Sequence, residues 1–233
     1  MKNGTWVSNG ETIKFTISGR LIDGQHRLMA CVLSGVTIRV LVARGLPENA
    51  QDTVDAGRKR TAADVLGLQG HDSAARLAAA SAHCIHYQQQ GAGTTFSYRA
   101  GNSVTHNEIQ QFVDSDPFIK EAVRVAMDRT RDATPLMAPA MMAFLWWVLV
   151  QVSPEDCDAF FTGLKWGEDL PRNSPISCLR NKLIALRTQS PLKGTAPPRI
   201  IVHYTFKAWN HYRDGRPLKQ LKVSSNEAIP LPR

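Results

Sequence analysis

The chain has 233 residues, 43% hydrophobic and 21% charged, with 28 Lys+Arg against 20 Asp+Glu and a formal charge of +8. This balance excludes a disordered chain, and the length suffices for one large domain or two small ones around a buried core. Four cysteines, Cys31, Cys84, Cys157 and Cys178, form no CxxC pair, which argues against a disulfide scaffold or zinc ribbon and for a reducing, cytoplasmic setting.

The opening MKNGTWVSNGETIKF has no apolar stretch of the secretory kind. From Glu11 to Ser18, ETIKFTIS alternates and predicts a strand with Ile13, Phe15 and Ile17 on one face. Gly19-Arg20 turns the chain into a second short strand at Leu21-Ile22. After Asp23-Gly24-Gln25-His26-Arg27, the run LMACVLSG has helical spacing at Leu28, Cys31 and Val32 and meets a stop at Gly35. The β-branched stretch Val36 to Ala43 predicts a third strand. A short helix from Glu48 to about Val54 follows, then a glycine-centred turn, Asp55 to Thr61, and helical AADVLGL.

The remainder reads as helix: Ser73 to about Gln89, His106 to Val113, Pro117 to Arg129, Pro139 to Val152, Pro154 to Leu164, Ile176 to Leu186 and Ile200 to Tyr212. Thr105 with Glu108 forms a capping-box pattern, several helices carry Pro near their start, and 91–103 reads as a loop or linker. The apolar run Leu136 to Val152 is short for a membrane span and contains Pro139, so it reads as a buried core helix. The fold class expected is α+β: a small mixed α/β domain over 1–72 and a mainly helical domain over 73–233, the boundary lying between 70 and 103.

Leu21 to Ala30, LIDGQHRLMA, carries the chemistry. A strand delivers an acid, a glycine turns the backbone, and His26 and Arg27 stand at a helix N-terminus, where unpaired amides and the helix dipole favour an anion. Arg27 can add a forked contact to phosphate, and Asp23 can orient His26, hold a metal or act as a base. The plainer alternative makes Asp23 a cap, His26 a packing residue and Arg27 a surface ion pair.

DGQHR resembles the nucleotide-binding signature of the ParB/sulfiredoxin-like superfamily, in its DGQHR-type branch of phages and mobile elements. Gly24, Arg27 and Ala30 match the GxxRxxA box of ParB N-terminal domains. The resemblance covers about residues 11 to 70. It implies a ParB/sulfiredoxin-like fold and a site binding the phosphates of ATP or another NTP with Mg²⁺ through Gly24, Gln25, His26 and Arg27. Asp23 would position the metal or His26, and Asp23 with His26 would be the catalytic pair if the nucleotide is hydrolysed. Gln25 replaces the cysteine of sulfiredoxins, so sulfinic-acid repair is not implied, and no helix-turn-helix is evident after Gly70.

In DAGRKRT, Asp55 to Thr61, a glycine turn bears Arg58, Lys59 and Arg60. Arg58 and Arg60 are read as assisting at the nucleotide and Lys59 as a nucleic-acid contact; Thr61 as a helix cap is the plain alternative. The last 44 residues carry a net +6 of the chain's +8. Arg199, Lys207, Arg213, Arg216, Lys219 and Lys222 are read as a DNA-facing patch, and the interleaved aromatics as mainly core. His83, Cys84 and His86 read as part of a structural helix rather than a metal site.

The function expected is therefore a nucleotide-binding, DNA-associated protein of ParB-like type, a possible homodimer, with NTPase and conceivably nuclease activity. A small-molecule kinase of the free-serine-kinase type and a non-catalytic DNA-binding regulator are the alternatives.

Overall fold

The computed structural model describes residues 6, 8, 10–50, 60–90, 104–130, 136–188, 197–224 and 227–233. They form a mixed α+β chain in two units, 1–59 and 60–233.

The first unit contains β1 (Thr12–Thr16), β2 (Leu21–Asp23), α1 (Gln25–Ser34) and β3 (Leu41–Leu46). A tight turn at Gly19, whose φ of 82° suits glycine, joins β1 to β2. It is closed by the Gly19 amide donating to the Thr16 carbonyl at 3.0 Å and the Thr16 amide to that of Arg20 at 2.9 Å. β1 lies between β2, antiparallel, and β3, parallel, with Thr12 opposite Leu41.

Two expectations change here. The third strand is not Val36 to Ala43 but Leu41–Leu46. A parallel ladder needs a facing strand, and β1 begins only at Thr12, opposite Leu41, so the β-branched residues before Leu41 have nothing to pair with. The alternation of Ile13, Phe15 and Ile17 also breaks. The register shifts after Lys14, which moves the later side chains by one, so Thr16 is buried and Ile17 is 76% exposed.

α1 starts at Gln25, ahead of the apolar run, and ends at Gly35 as expected, with φ 67° and its amide bonded to the Cys31 carbonyl at 2.8 Å. It buries none of its residues, and Leu28, Met29, Val32 and Leu33 all face outward. Of the helix expected over Glu48 to Val54, residues 48–50 form a turn and the rest lies outside the described residues, as does 91–103.

The second unit contains α2 (Ala62–Leu68), α3 (Ala74–Gln90), α4 (His106–Ser115), α5 (Phe118–Thr130), α6 (Pro139–Val150), α7 (Pro154–Trp166), α8 (Pro175–Thr188) and α9 (Pro198–Arg213). Full capping boxes open α2, from Thr61 and Asp64, and α4, from Thr105 and Glu108. α6, α7 and α9 begin on proline, where the missing N–H costs no helical bond.

α6 is apolar all round and is the centre of the unit, with Met141 to Leu149 all buried and α3, α5, α7 and α9 packed on it. Trp147 Nε1–H donates to Asp116 Oδ2 at 2.9 Å, so the indole is buried without losing its polar partner. No described helix is long and apolar enough to cross a membrane. α2, expected in the first domain, belongs to this unit: Leu66 is 1% exposed and α2 packs on α3 and α4, moving the division from 72/73 to 59/60. Residues near the end of the chain pack back on α9. Trp209 Nε1–H donates to the Arg233 carbonyl at 3.1 Å and Asn210 Nδ2–H to that of Leu231 at 2.8 Å.

Candidate functional site

Gly24 joins β2 to α1 as the helix N-cap at φ 95°, a left-handed conformation that L side chains rarely adopt. It is also packed: a Cβ there would stand 2.9 Å from Ile13 Cγ1 and 3.1 Å from Ile13 Cα. No side chain caps the helix, and the first intrahelical bond runs from the Leu28 amide to the Gly24 carbonyl. The amides of Gln25, His26 and Arg27 therefore have no intrahelical acceptor, and the side chains of Gln25 and His26 are exposed beside them.

Asp23 and Arg27 are engaged differently from the sequence expectation. Lys14 lies directly across the sheet from Asp23, and its Nζ stands 3.0 Å from Asp23 Oδ2. Arg27 Nη1–H donates to the Thr12 carbonyl at 2.7 Å, while Nη2 lies 3.6 Å from Glu11 Oε2 and 3.9 Å from Asp23 Oδ1. Burial pushes the Asp23 pKa up, but the hydrogen bond and charge of Lys14, the Gly24 amide and Arg27 outweigh it and hold the carboxyl below its ordinary value. The result is a brace tying β1, β2 and α1 together. Lys14 and Thr12 were not singled out in the sequence; the signal for Lys14 was its place opposite Asp23 in the hairpin.

This arrangement does not bring Asp23 to His26: no hydrogen bond joins them among the described residues, and the carboxylate faces two cations. Nor does it fit Mg²⁺ at Asp23, because a dication would have to displace the Lys14 ammonium to reach Oδ2. Among the described residues, no group of three or more His, Cys, Asp and Glu gathers in a way that could hold a metal ion.

Arg58 and Lys59 lie outside the described residues. Arg60 is exposed, immediately before the Thr61 cap of α2. Three of the six cations of the expected DNA-facing patch are ion-paired within the chain. Arg213 pairs with Asp156, and Arg216 with Asp214. Lys207 Nζ contacts Glu227 Oε1 at 2.7 Å and the Lys222 carbonyl at 2.8 Å, and Arg199 reaches the Glu227 carbonyl at 3.2 Å. Lys219 and Lys222 are exposed, and their ammonium groups make no ion pair among the described residues. The aromatics are core, as expected: Tyr204, Phe206 and Trp209 are buried.

His83 and His86 are buried in α3. Burial, with the charge of His86, pulls the His83 pKa down to about 4, so the ring is neutral near pH 7. Cys84, Cys157 and Cys178 all have thiol pKa values raised chiefly by burial, that of Cys157 to about 12, and are structural rather than nucleophilic.

Comparison of the chain with protein-family models, with curated proteins and with solved structures gave no match.

Proposed function

We propose that the chain binds a nucleotide by its phosphates at the N-terminus of α1, as part of a DNA-associated protein of ParB-like type. The observation that carries this reading is the buried, left-handed Gly24 between β2 and an uncapped helix start, with Gln25 and His26 exposed beside amides that have no intrahelical acceptor. An anion there meets oriented N–H donors and the positive end of the helix, and His26 is placed to add a donor. Arg27 acts from behind as a positioning residue, holding α1 to β1 through the Thr12 carbonyl. Exposed Lys219 and Lys222 supply the part of the basic surface that is free to meet nucleic-acid phosphate.

Within this reading, binding without turnover is better supported than hydrolysis or DNA cleavage. Asp23 is held between Lys14 and Arg27 and is not bonded to His26, so it is poorly placed to orient an attacking water. The nucleotide then acts as a switch for assembly or partner choice.

Calorimetric titration with ATP, CTP and GTP tests the proposal, on the wild type and on His26→Ala. His26 is exposed and its side chain makes no bond among the described residues, so the substitution leaves the fold intact. Saturable binding to at least one nucleotide, weakened about tenfold or more in the variant, supports the reading. Absence of binding to all three overturns it.

A further inference from the structure

A second feature lies wholly within the helical unit. The α7–α8 loop and the turn leaving α9 enclose a cleft of about 370 Å³. Its walls are apolar, from Leu170, Pro171, Pro175, Ile176, Tyr212 and Pro217. The ionisable groups lining it, apart from Tyr212, are Arg172, Arg216 and His211, with no carboxylate among the lining residues. The lining is therefore of one sign, although Asp214, next to the lining residues in sequence, pairs with Arg216. Arg216 is bound to Asp214, whereas Arg172 is exposed and its guanidinium has no partner among the described residues.

Two further observations mark the cleft as built. His211 Nδ1 is buried with no hydrogen-bond partner, an omission that native interiors rarely leave uncompensated. The loop turns through two left-handed residues, Asn173, which lines the cleft, and nearby Asp169, with φ of 64° and 52°, a conformation that asparagine and aspartate adopt more readily than other L residues. The Leu218 amide fixes the loop to the chain beyond α9 by donating to the Asn173 carbonyl at 2.8 Å.

We propose that this cleft binds a small organic anion with an apolar, preferably planar body and one phosphate or carboxylate group. The body is covered by the prolines, Ile176 and Tyr212, and the anionic end meets Arg172. The volume lies in the range of small-molecule sites, and a few convergent polar groups among apolar walls are what such sites present. The site is lined entirely by residues of the helical unit and does not depend on the nucleotide reading.

Phenyl phosphate is the probe, titrated into the full chain by calorimetry, with inorganic phosphate and phenol as its two halves. The expected result is one-to-one binding about tenfold or more tighter than either half, weakened about tenfold by Arg172→Glu and unchanged by His26→Ala. Circular dichroism of Arg172→Glu checks that the fold is retained. The proposal is overturned by no measurable binding of phenyl phosphate, by inorganic phosphate binding equally well, or by a folded Arg172→Glu binding as the wild type does. Loss in His26→Ala rather than in Arg172→Glu also overturns it, by assigning the anion to α1.

Discussion

α1 and α6 are similar in length and both rich in apolar residues, yet they are used in opposite ways. α6 buries every residue from Met141 to Leu149, whereas α1 buries none. α6 follows a proline, is ringed by four helices and satisfies its polar contacts inside the unit. α1 follows a left-handed glycine, is held at its first turn by Arg27 and presents an open N-terminus. One helix is made for stability and the other for presentation, so the same kind of substitution should have different consequences in each.

The largest effect belongs to the α6 core. Phe144 is fully buried, with the Tyr87 ring 5.7 Å away, and Phe144→Ala is expected to cost about 3–5 kcal/mol in chemical denaturation. Tryptophan fluorescence reports mainly this unit, because four of the five tryptophans, Trp146, Trp147, Trp166 and Trp209, lie in it. Next comes acid sensitivity. His83 has a folded pKa of about 4 against 6.5 in the unfolded chain, so the unfolded chain takes up the proton first as pH falls. Stability is expected to be full above about pH 6.5 and to drop by about 3 kcal/mol down to about pH 4. His83→Leu should flatten that limb in denaturation curves recorded across the window.

At the start of α1, Gly24→Ala introduces a Cβ against Ile13 at positive φ and is expected to destabilise the N-terminal unit by about 1–3 kcal/mol. Amide exchange in β1 and α1 would register this while exchange in α6 stays unchanged. Removing a capping box by Thr61→Ala or Thr105→Ala should cost about 1 kcal/mol in the helical unit. The smallest effect is expected at Val32, which is 82% exposed: Val32→Lys should shift stability by no more than about 0.5 kcal/mol. A large loss there would show that α1 is covered, contrary to the contrast drawn.

The helices were legible because their signals are local. Thr105-x-x-Glu108 and the prolines at helix starts act within a turn of the residues that bear them. The all-apolar run from Met141 to Leu149 states its own burial. Strand positions were read less well, since Leu41–Leu46 is fixed by where β1 begins, and a register shift after Lys14 cannot be seen in alternation. The same holds for the candidate site. Gly24 and the helix start were evident in DGQHR. The partners of Asp23 and Arg27 were not, because Lys14, Thr12 and Glu11 meet them only across the hairpin. The ion pairs of the basic C-terminal residues were hidden for a related reason: Asp156, which pairs with Arg213, lies 57 residues away.

The proposed nucleotide would complete the open N-terminus of α1, whereas α6 needs nothing outside its own unit. Hydrogen–deuterium exchange of the full chain, with and without saturating ATP, CTP or GTP, tests it most directly. The account predicts strong protection of α6 under all conditions. It predicts fast exchange over Gln25–Ser34 in the free chain, slowed about tenfold or more at the first turn by at least one nucleotide. Exchange over α1 that none of the three nucleotides alters, or α1 amides as protected as those of α6 in the free chain, would contradict it.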